Sequence, residues 1–265
     1  MSETSKRSES DLFSALDIGS RELVALVGGG GKTSLLFALA DELLQRKKRA
    51  VTTTTTKIWH REALRSPCLV FMESELTWRD ELRAGLLTHG QAFLARGMLD
   101  SGKVEGISPS LANEIYQDEE IDYIIVEADG SSGCPVKAPA EHEPVIPSSS
   151  THVVAMLGLE AIGEPMGPQV VFRAALFEKM TGLEPGERLT PAVLASLFLE
   201  PDGLFKGTPS SAKKMVFLNK RDLLTESGEA EELAGLILGN ELNKVEQVVI
   251  GSILEGEYVV IRRRA

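Results

Sequence analysis

Gly28-Gly29-Gly30-Gly31-Lys32-Thr33 is the stretch of this sequence with the clearest chemistry. Glycines let successive backbone N–H groups turn toward one anion, a lysine neutralises phosphate charge, and the next hydroxyl can ligate Mg2+. Apolar Leu23–Val27 precedes the run, and Leu35, Leu36 and Leu39 follow it at helical spacing. Strand, glycine loop and helix thus come in the order that a phosphate-binding loop requires. Counting back from Gly31-Lys32-Thr33, the first glycine of the full loop spacing falls on Leu26, which predicts a shortened or shifted loop. Gly28, Gly29, Gly30, Gly31, Lys32, Thr33 and Ser34 are the expected phosphate-binding residues, with Thr33 on Mg2+.

A second chemical group stands at Glu127 and Asp129, after the apolar run Asp122–Val126. In open α/β sheets the ligand crevice lies outside the carboxyl ends of the strands, so these acids should share an edge with the glycine loop. Either could hold Mg2+ or position an attacking water, while one of the two could simply cap the following turn. Val51 leads into five threonines, Thr52–Thr56, then Lys57. Part of that run is β-propensity, but Thr54 to Thr56 are candidates for approaching the metal or a terminal phosphate. Lys137 is a further candidate for a phosphate or a substrate carboxylate. Cys134 with Glu141, His142 and Glu143 lacks the spacing of a metal site, so a cargo-transfer role for the thiol is the weaker reading.

Asn219-Lys220-Arg221-Asp222 follows the apolar run Lys214–Leu218. In a phosphate-loop protein such a tetrad reads guanine: the Asp carboxylate accepts from N1–H and the exocyclic amine, the Lys stem packs on the base and the Asn braces the loop. That favours GTP over ATP.

Positioning these groups takes a series of buried strands with helices between them. Runs at Leu23–Val27, Arg49–Thr53, Cys68–Met72, Gln91–Ala95, Asp122–Glu127, His152–Leu157, Lys214–Leu218 and Val245–Ile250 predict a mainly parallel sheet covered on both faces. The expected fold class is α/β, a three-layer sandwich like that of phosphate-loop nucleotide hydrolases, with a helical insertion around 163–211. Residues 1–20 read as an N-terminal tail or arm and residues 21–265 as a single nucleotide-binding domain. The Arg262–Arg264 triplet reads as a solvated end.

Composition narrows the partners. The chain has 265 residues, and 28 Lys+Arg against 39 Asp+Glu give a formal net charge of −11. A general nucleic-acid grip or an anionic-membrane anchor is not expected from that balance. No apolar run approaches the roughly 20 residues of a membrane span, and Met1–Asp11 has no apolar core of a secretory signal. Two cysteines fit a reducing cytoplasm.

Val27–Thr33, Thr52–Lys57, Val126–Ser131, Pro135–Pro139 with Glu143-Pro144, and Leu218–Asp222 together resemble the YqeC family, over nearly everything from Arg21 to about Ser252. The resemblance implies a phosphate-loop nucleotide hydrolase near the metallochaperone and signal-recognition type of GTPase. It also implies an accessory role in maturing selenium-dependent molybdenum hydroxylases, which would make such an enzyme, or its cofactor-maturation proteins, the partner. The expectation is a slow Mg2+-dependent nucleotide hydrolase with GTP or ATP; a homodimer is allowed. Two alternatives stand beside it: an ATP-dependent kinase or ligase on a small acid, and a nucleotide-gated binding module without useful turnover.

Overall fold

The computed structural model of the chain describes residues 4–72, 77–225, 228–240 and 244–263. In chain order its elements are β1 (Thr4–Glu9), α1 (Leu12–Ala15), β2 (Glu22–Gly28), α2 (Lys32–Gln45), β3 (Ala50–Thr54), β4 (Lys57–Trp59), α3 (His60–Ala63) and β5 (Leu69–Phe71). Then come α4 (Trp78–His89), β6 (Gln91–Ala95), β7 (Gly97–Met98), β8 (Lys103–Glu105), α5 (Pro109–Ile115), β9 (Tyr123–Glu127) and β10 (Val136–Lys137). The last are β11 (His152–Gly158), β12 (Val171–Phe172), α6 (Ala174–Thr181), α7 (Pro191–Leu199), β13 (Lys213–Asn219), α8 (Gly228–Gly239), β14 (Val245–Ser252) and β15 (Glu257–Arg263).

Ten strands form one mixed, mostly parallel sheet in the order β1-β15-β14-β13-β11-β2-β9-β3-β6-β5. Only β1 and β15 run antiparallel to their neighbours. Side chains alternate across β2: Val24 and Leu26 pack on one face with α1 and α2, while Leu23, Ala25 and Val27 face the other, where α4, α5, α7 and α8 pack. Burial on both faces is why these strands are nearly continuous runs of Val, Ile, Leu and Ala rather than alternating ones. The parallel register stacks the carboxyl ends of β2, β9, β3, β11 and β13 along one edge. Within it, β2 and β3 are not neighbours, because β9 lies between them. That places the β2–α2 connection at the strand-order reversal where open α/β sheets form a crevice.

Residues 4–9, expected as part of a mobile tail, instead form the edge strand β1, paired residue for residue with β15. The C-terminal arginines differ from expectation for the same reason. Arg262 and Arg263 belong to β15, and Arg262 donates to Gln247 Oε1 at 2.6 Å and lies 3.4 Å from Asp17; Arg264 lies outside the described residues. Lys and Arg on the edge pair suit strands that must not recruit further chains. Among the described residues, no helix is long and apolar enough to cross a membrane.

Because the side chains of β1 are almost all exposed, removing residues 1–10 should change thermal stability little while uncovering the hydrogen-bonding edge of β15. Size-exclusion chromatography with light scattering should show self-association of the shortened chain. A strictly unchanged mass would mean that β1 does not guard this edge.

Candidate functional site

A helix start and the ends of three parallel strands meet in a cleft of about 1370 Å3, lined on its inner side by Gly31, Lys32, Thr33, Ser34, Glu127 and Lys220. The glycine run builds this floor in two parts. The N–H groups of the first three glycines are directed at the protein: Gly28 donates to both oxygens of Asp129 at 3.2 and 3.0 Å, Gly29 to Met156 O and Gly30 to Cys134 O. Only the next four, Gly31 to Ser34, open the first turn of α2 without an acceptor among the described residues. Sequence reasoning gave Gly28, Gly29 and Gly30 a direct phosphate role; their amides instead fold the loop. Gly30 shows why its residue type is fixed: its φ is +76°, and a Cβ would stand 2.1 Å from the backbone nitrogen of Gly158.

Behind this floor runs a string of opposite charges with almost no water. Lys32 Nζ donates to Gly28 O at 2.6 Å and to Ser131 Oγ at 3.3 Å, and lies 3.2 Å from Asp129 and 3.6 Å from Glu127. Asp129 also pairs with Lys137 at 3.0 Å, Lys137 pairs with Glu143 at 2.8 Å, and Glu143 pairs with Arg173. Burial alone would depress the Lys32 ammonium, but Asp129 and Glu127 outweigh it and hold the pKa above the usual lysine value. For Lys137 burial wins over Asp129 and Glu143, and its pKa falls. Burial likewise prevails at Glu127, lifting its carboxyl although Lys32 and Thr33 oppose the rise. Burial would raise Glu143 too, but hydrogen bonds and charge from Arg173 and Lys137 overcome it and bring it down to about 2.

Several expected site residues change place. Asp129 has no exposed surface and faces the loop and two lysines rather than the cleft, so here it braces the loop. Lys137 is fully buried on β10, between the carboxylates of Asp129 and Glu143. Thr54 is buried, with its hydroxyl donating to Glu127 O at 2.8 Å; Thr55 lines the cleft rim but donates to Val145 O at 2.8 Å. Thr52 and Thr53 likewise donate to carbonyls of β6, because a hydroxyl inside a central strand finds only its neighbour's backbone. Cys134 points at Pro168 O, 3.8 Å away, while His142 lines the cleft, so the two are not brought together as a soft-metal site. His152 is buried against Glu22 at 3.2 Å, a structural pair.

Other expected groups do converge. Thr33 Oγ1 donates to Glu127 Oε2 at 2.9 Å at the cleft floor. Asn219, buried, donates through Nδ2 to Gly30 O at 2.8 Å and accepts from Ile253 N at 3.2 Å, bracing the loop. Lys220 pairs with Glu160. Asp222 lies in the single turn Arg221–Leu223, exposed and without a hydrogen-bond partner among the described residues. Arg173 was not singled out from the sequence; it stands at the cleft edge with a φ of +64°. An isolated Arg offered no pattern to find.

The family model described as YqeC protein matches residues 24–175, from within β2 to the start of α6. The chain belongs to the YqeC family. The matched span holds the glycine loop, the threonine run, the whole charge string and Arg173, but not Asn219 or Asp222. The uncharacterized protein YqeC of Escherichia coli (strain K12) is 35% identical over 156 residues, 59% of this chain and 60% of that relative. The match therefore spans about three fifths of the relative's length. Among solved structures, the signal recognition particle 54 kDa protein of Aeropyrum pernix K1, determined in complex with GDP, aligns with 91% of this chain and 44% of its own at 16% identity and a TM-score of 0.40. Chloroplast FtsY from Physcomitrella patens aligns with 97% of this chain and 66% of its own at 14% identity and a TM-score of 0.40.

Asp129→Asn removes the one carboxylate shared by two buried lysines, and should cost roughly 3–5 kcal/mol of stability. Urea unfolding measures this; a loss below about 1 kcal/mol would mean that Asp129 does not neutralise Lys32 and Lys137. Glu143 gives a pH signature. Its folded pKa of about 2 lies below the ordinary 4.5, so its contribution of about 3 kcal/mol is complete above pH 4.5 and is lost as pH falls through 2. The stability gap between wild type and Glu143→Gln should accordingly close across that window, and a gap constant from pH 6 to pH 2 would contradict the assignment.

Proposed function

We propose that the chain binds a nucleoside triphosphate with Mg2+, GTP ahead of ATP, at Gly31–Ser34 and hydrolyses it slowly. One observation carries the reading: four N–H groups without acceptors among the described residues open on the cleft beside the Lys32 ammonium and the Thr33 hydroxyl. Backbone donors at a helix start, added to a lysine, form a binding site for phosphate oxygens. The donor set also fits the metal. A hydroxyl and a carboxylate already 2.9 Å apart are the hard oxygens that Mg2+ takes together with waters and phosphate. When bound, Mg2+ supplies charge neutralisation for the transferred phosphate, with Thr33 and Glu127 as the residues that would hold it.

The protein's own groups divide the remaining work. Lys32 offsets phosphate charge, but it is already shared between Asp129 and Glu127, so a nucleotide must compete for it; that supports slow turnover unaided. Glu127 stands at the cleft floor beside the Thr33 hydroxyl, where its carboxylate can orient a water. Asn219 and Lys220 continue β13 beside the loop, and the Asn219-Lys220-Arg221-Asp222 order that follows this strand supports guanine over adenine. The loop is two residues shorter than the full spacing, since Leu26 stays in β2. Service to a molybdenum hydroxylase rests on the family resemblance alone and is proposed as the biological setting.

Lys32→Ala would strand two buried carboxylates, so Thr33→Ala is the cleaner probe of phosphate and metal. It should weaken nucleotide binding in the presence of Mg2+ by roughly tenfold while leaving binding in EDTA within about twofold. Equal affinities for wild type and variant in both conditions would remove Thr33 from the site. For the base, Asp222→Asn should cost roughly 1.5–3 kcal/mol for GTP and improve the relative binding of xanthosine triphosphate, whose 2-oxo group complements the new donor. Calorimetry that shows GTP and ATP bound alike by wild type, with no shift toward the xanthine nucleotide in the variant, would overturn the guanine reading.

A further inference from the structure

A second wall of the same cleft is built by a separate small sheet. β4, β8 and β7 pair antiparallel, with Lys57 opposite Glu105 and Trp59 opposite Lys103. Alternation along these strands buries Ile58 and Val104 in the main core and turns Lys57, Trp59, Lys103 and Glu105 the other way, into the cleft. Arg61, from α3, and Arg96, at the end of β6, line it too. Trp59 is 42% exposed, with the Lys103 ammonium 4.7 Å and the Arg61 guanidinium 5.6 Å from its ring centroid. Arg96 lies 3.5 Å from Glu105, but Lys57, Arg61 and Lys103 have no carboxylate within ion-pair distance among the described residues. Cations gathered in this way, unneutralised and stacked on an indole, are held ready for an anion.

The charge balance points the same way. Among the described residues, seven lysines and arginines line the cleft against four glutamates, an excess of three positive charges in a chain whose formal net charge is −11. Small-ligand pockets run to roughly 1,000 Å3, and this cleft exceeds that at about 1370 Å3. The inner floor also has donors enough for one set of phosphates, in Gly31–Ser34 and Lys32.

We propose that the wall formed by Lys57, Trp59, Arg61, Arg96 and Lys103 binds a second small molecule carrying at least two negative charges, a phosphate ester or a polycarboxylate, beside the nucleotide. This rests on the nucleotide reading only for what occupies the floor; the wall's own cations define the second site.

Trp59 supplies the readout, since the other tryptophan, Trp78, is the buried first residue of α4. Wild type saturated with a hydrolysis-resistant GTP analogue is titrated with inorganic pyrophosphate and, separately, with citrate at constant ionic strength. Either should give a saturable change in tryptophan fluorescence that is absent in Trp59→Phe; which of the two does so distinguishes the phosphate from the carboxylate source. The double variant Arg61→Ala/Lys103→Ala should weaken that binding by roughly tenfold or more and change affinity for the GTP analogue by less than about threefold. No saturable change with either anion, displacement of the nucleotide by the anion, or an equal loss of both affinities in the double variant would overturn the proposal. If no nucleotide binds at all, the same titrations without it still decide: loss of pyrophosphate or citrate binding in the double variant but not in Thr33→Ala supports the second site alone, and the reverse pattern refutes it.

Discussion

Two buried ammonium groups, those of Lys32 and Lys137, share the single carboxylate of Asp129. Isolated, either charge would be too costly to bury, so the surrounding chain is organised to keep each one paired. Asp129 accepts from Gly28, which fixes where β2 ends and the glycine loop begins. Glu143 closes the far end of Lys137, and Arg173 closes Glu143, which draws the segments around 143 and 173 against the loop although neither is near it in sequence. The backbone repeats the arrangement: Gly30 N reaches Cys134 O and Gly158 N reaches Pro135 O, so the strap from Ser131 to Lys137 is sewn to the loop and to the end of β11.

This dependence explains which parts of the molecule could be read from residues. The parallel strands were legible because burial on both faces leaves unbroken apolar runs, and α2 because Leu35, Leu36, Leu39 and Leu43 repeat at helical spacing. Lys32, Thr33, Glu127 and Asn219 converge as their positions at strand ends require. Asp129 and Lys137 were legible as charged groups near the loop but not as each other's partners, because a charged residue after a strand looks the same in sequence whether it faces ligand or another charge. The threonine run misled in a similar way: β-propensity set the strand, and the hydroxyls then found neighbouring carbonyls.

The small sheet escaped for a different reason. Its strands are three residues or fewer, too short for a period to show, and Lys-Ile-Trp and Lys-Val-Glu become a surface only once paired. β15 was hidden by its arginines, which suggest solvent until Gln247 and Asp17 are placed beneath them. In both cases the information lies in contacts between distant residues rather than in local pattern.

The attachment of β8 has a mechanical side. Gly106 N donates to Thr56 O and Ile107 N to Thr54 O, and Gly106 lies so close that a Cβ there would stand 2.0 Å from the Thr54 carbonyl oxygen. Those two bonds and that close approach tie the wall to the end of a central strand. The facing tip, Gly130–Gly133, has open space around both of its glycines, with the Cys134 N to Ser131 O bond across it and Lys32 Nζ donating to Ser131 Oγ. The cleft thus has one wall tied to the central sheet and, facing it, a tip with few ties of its own.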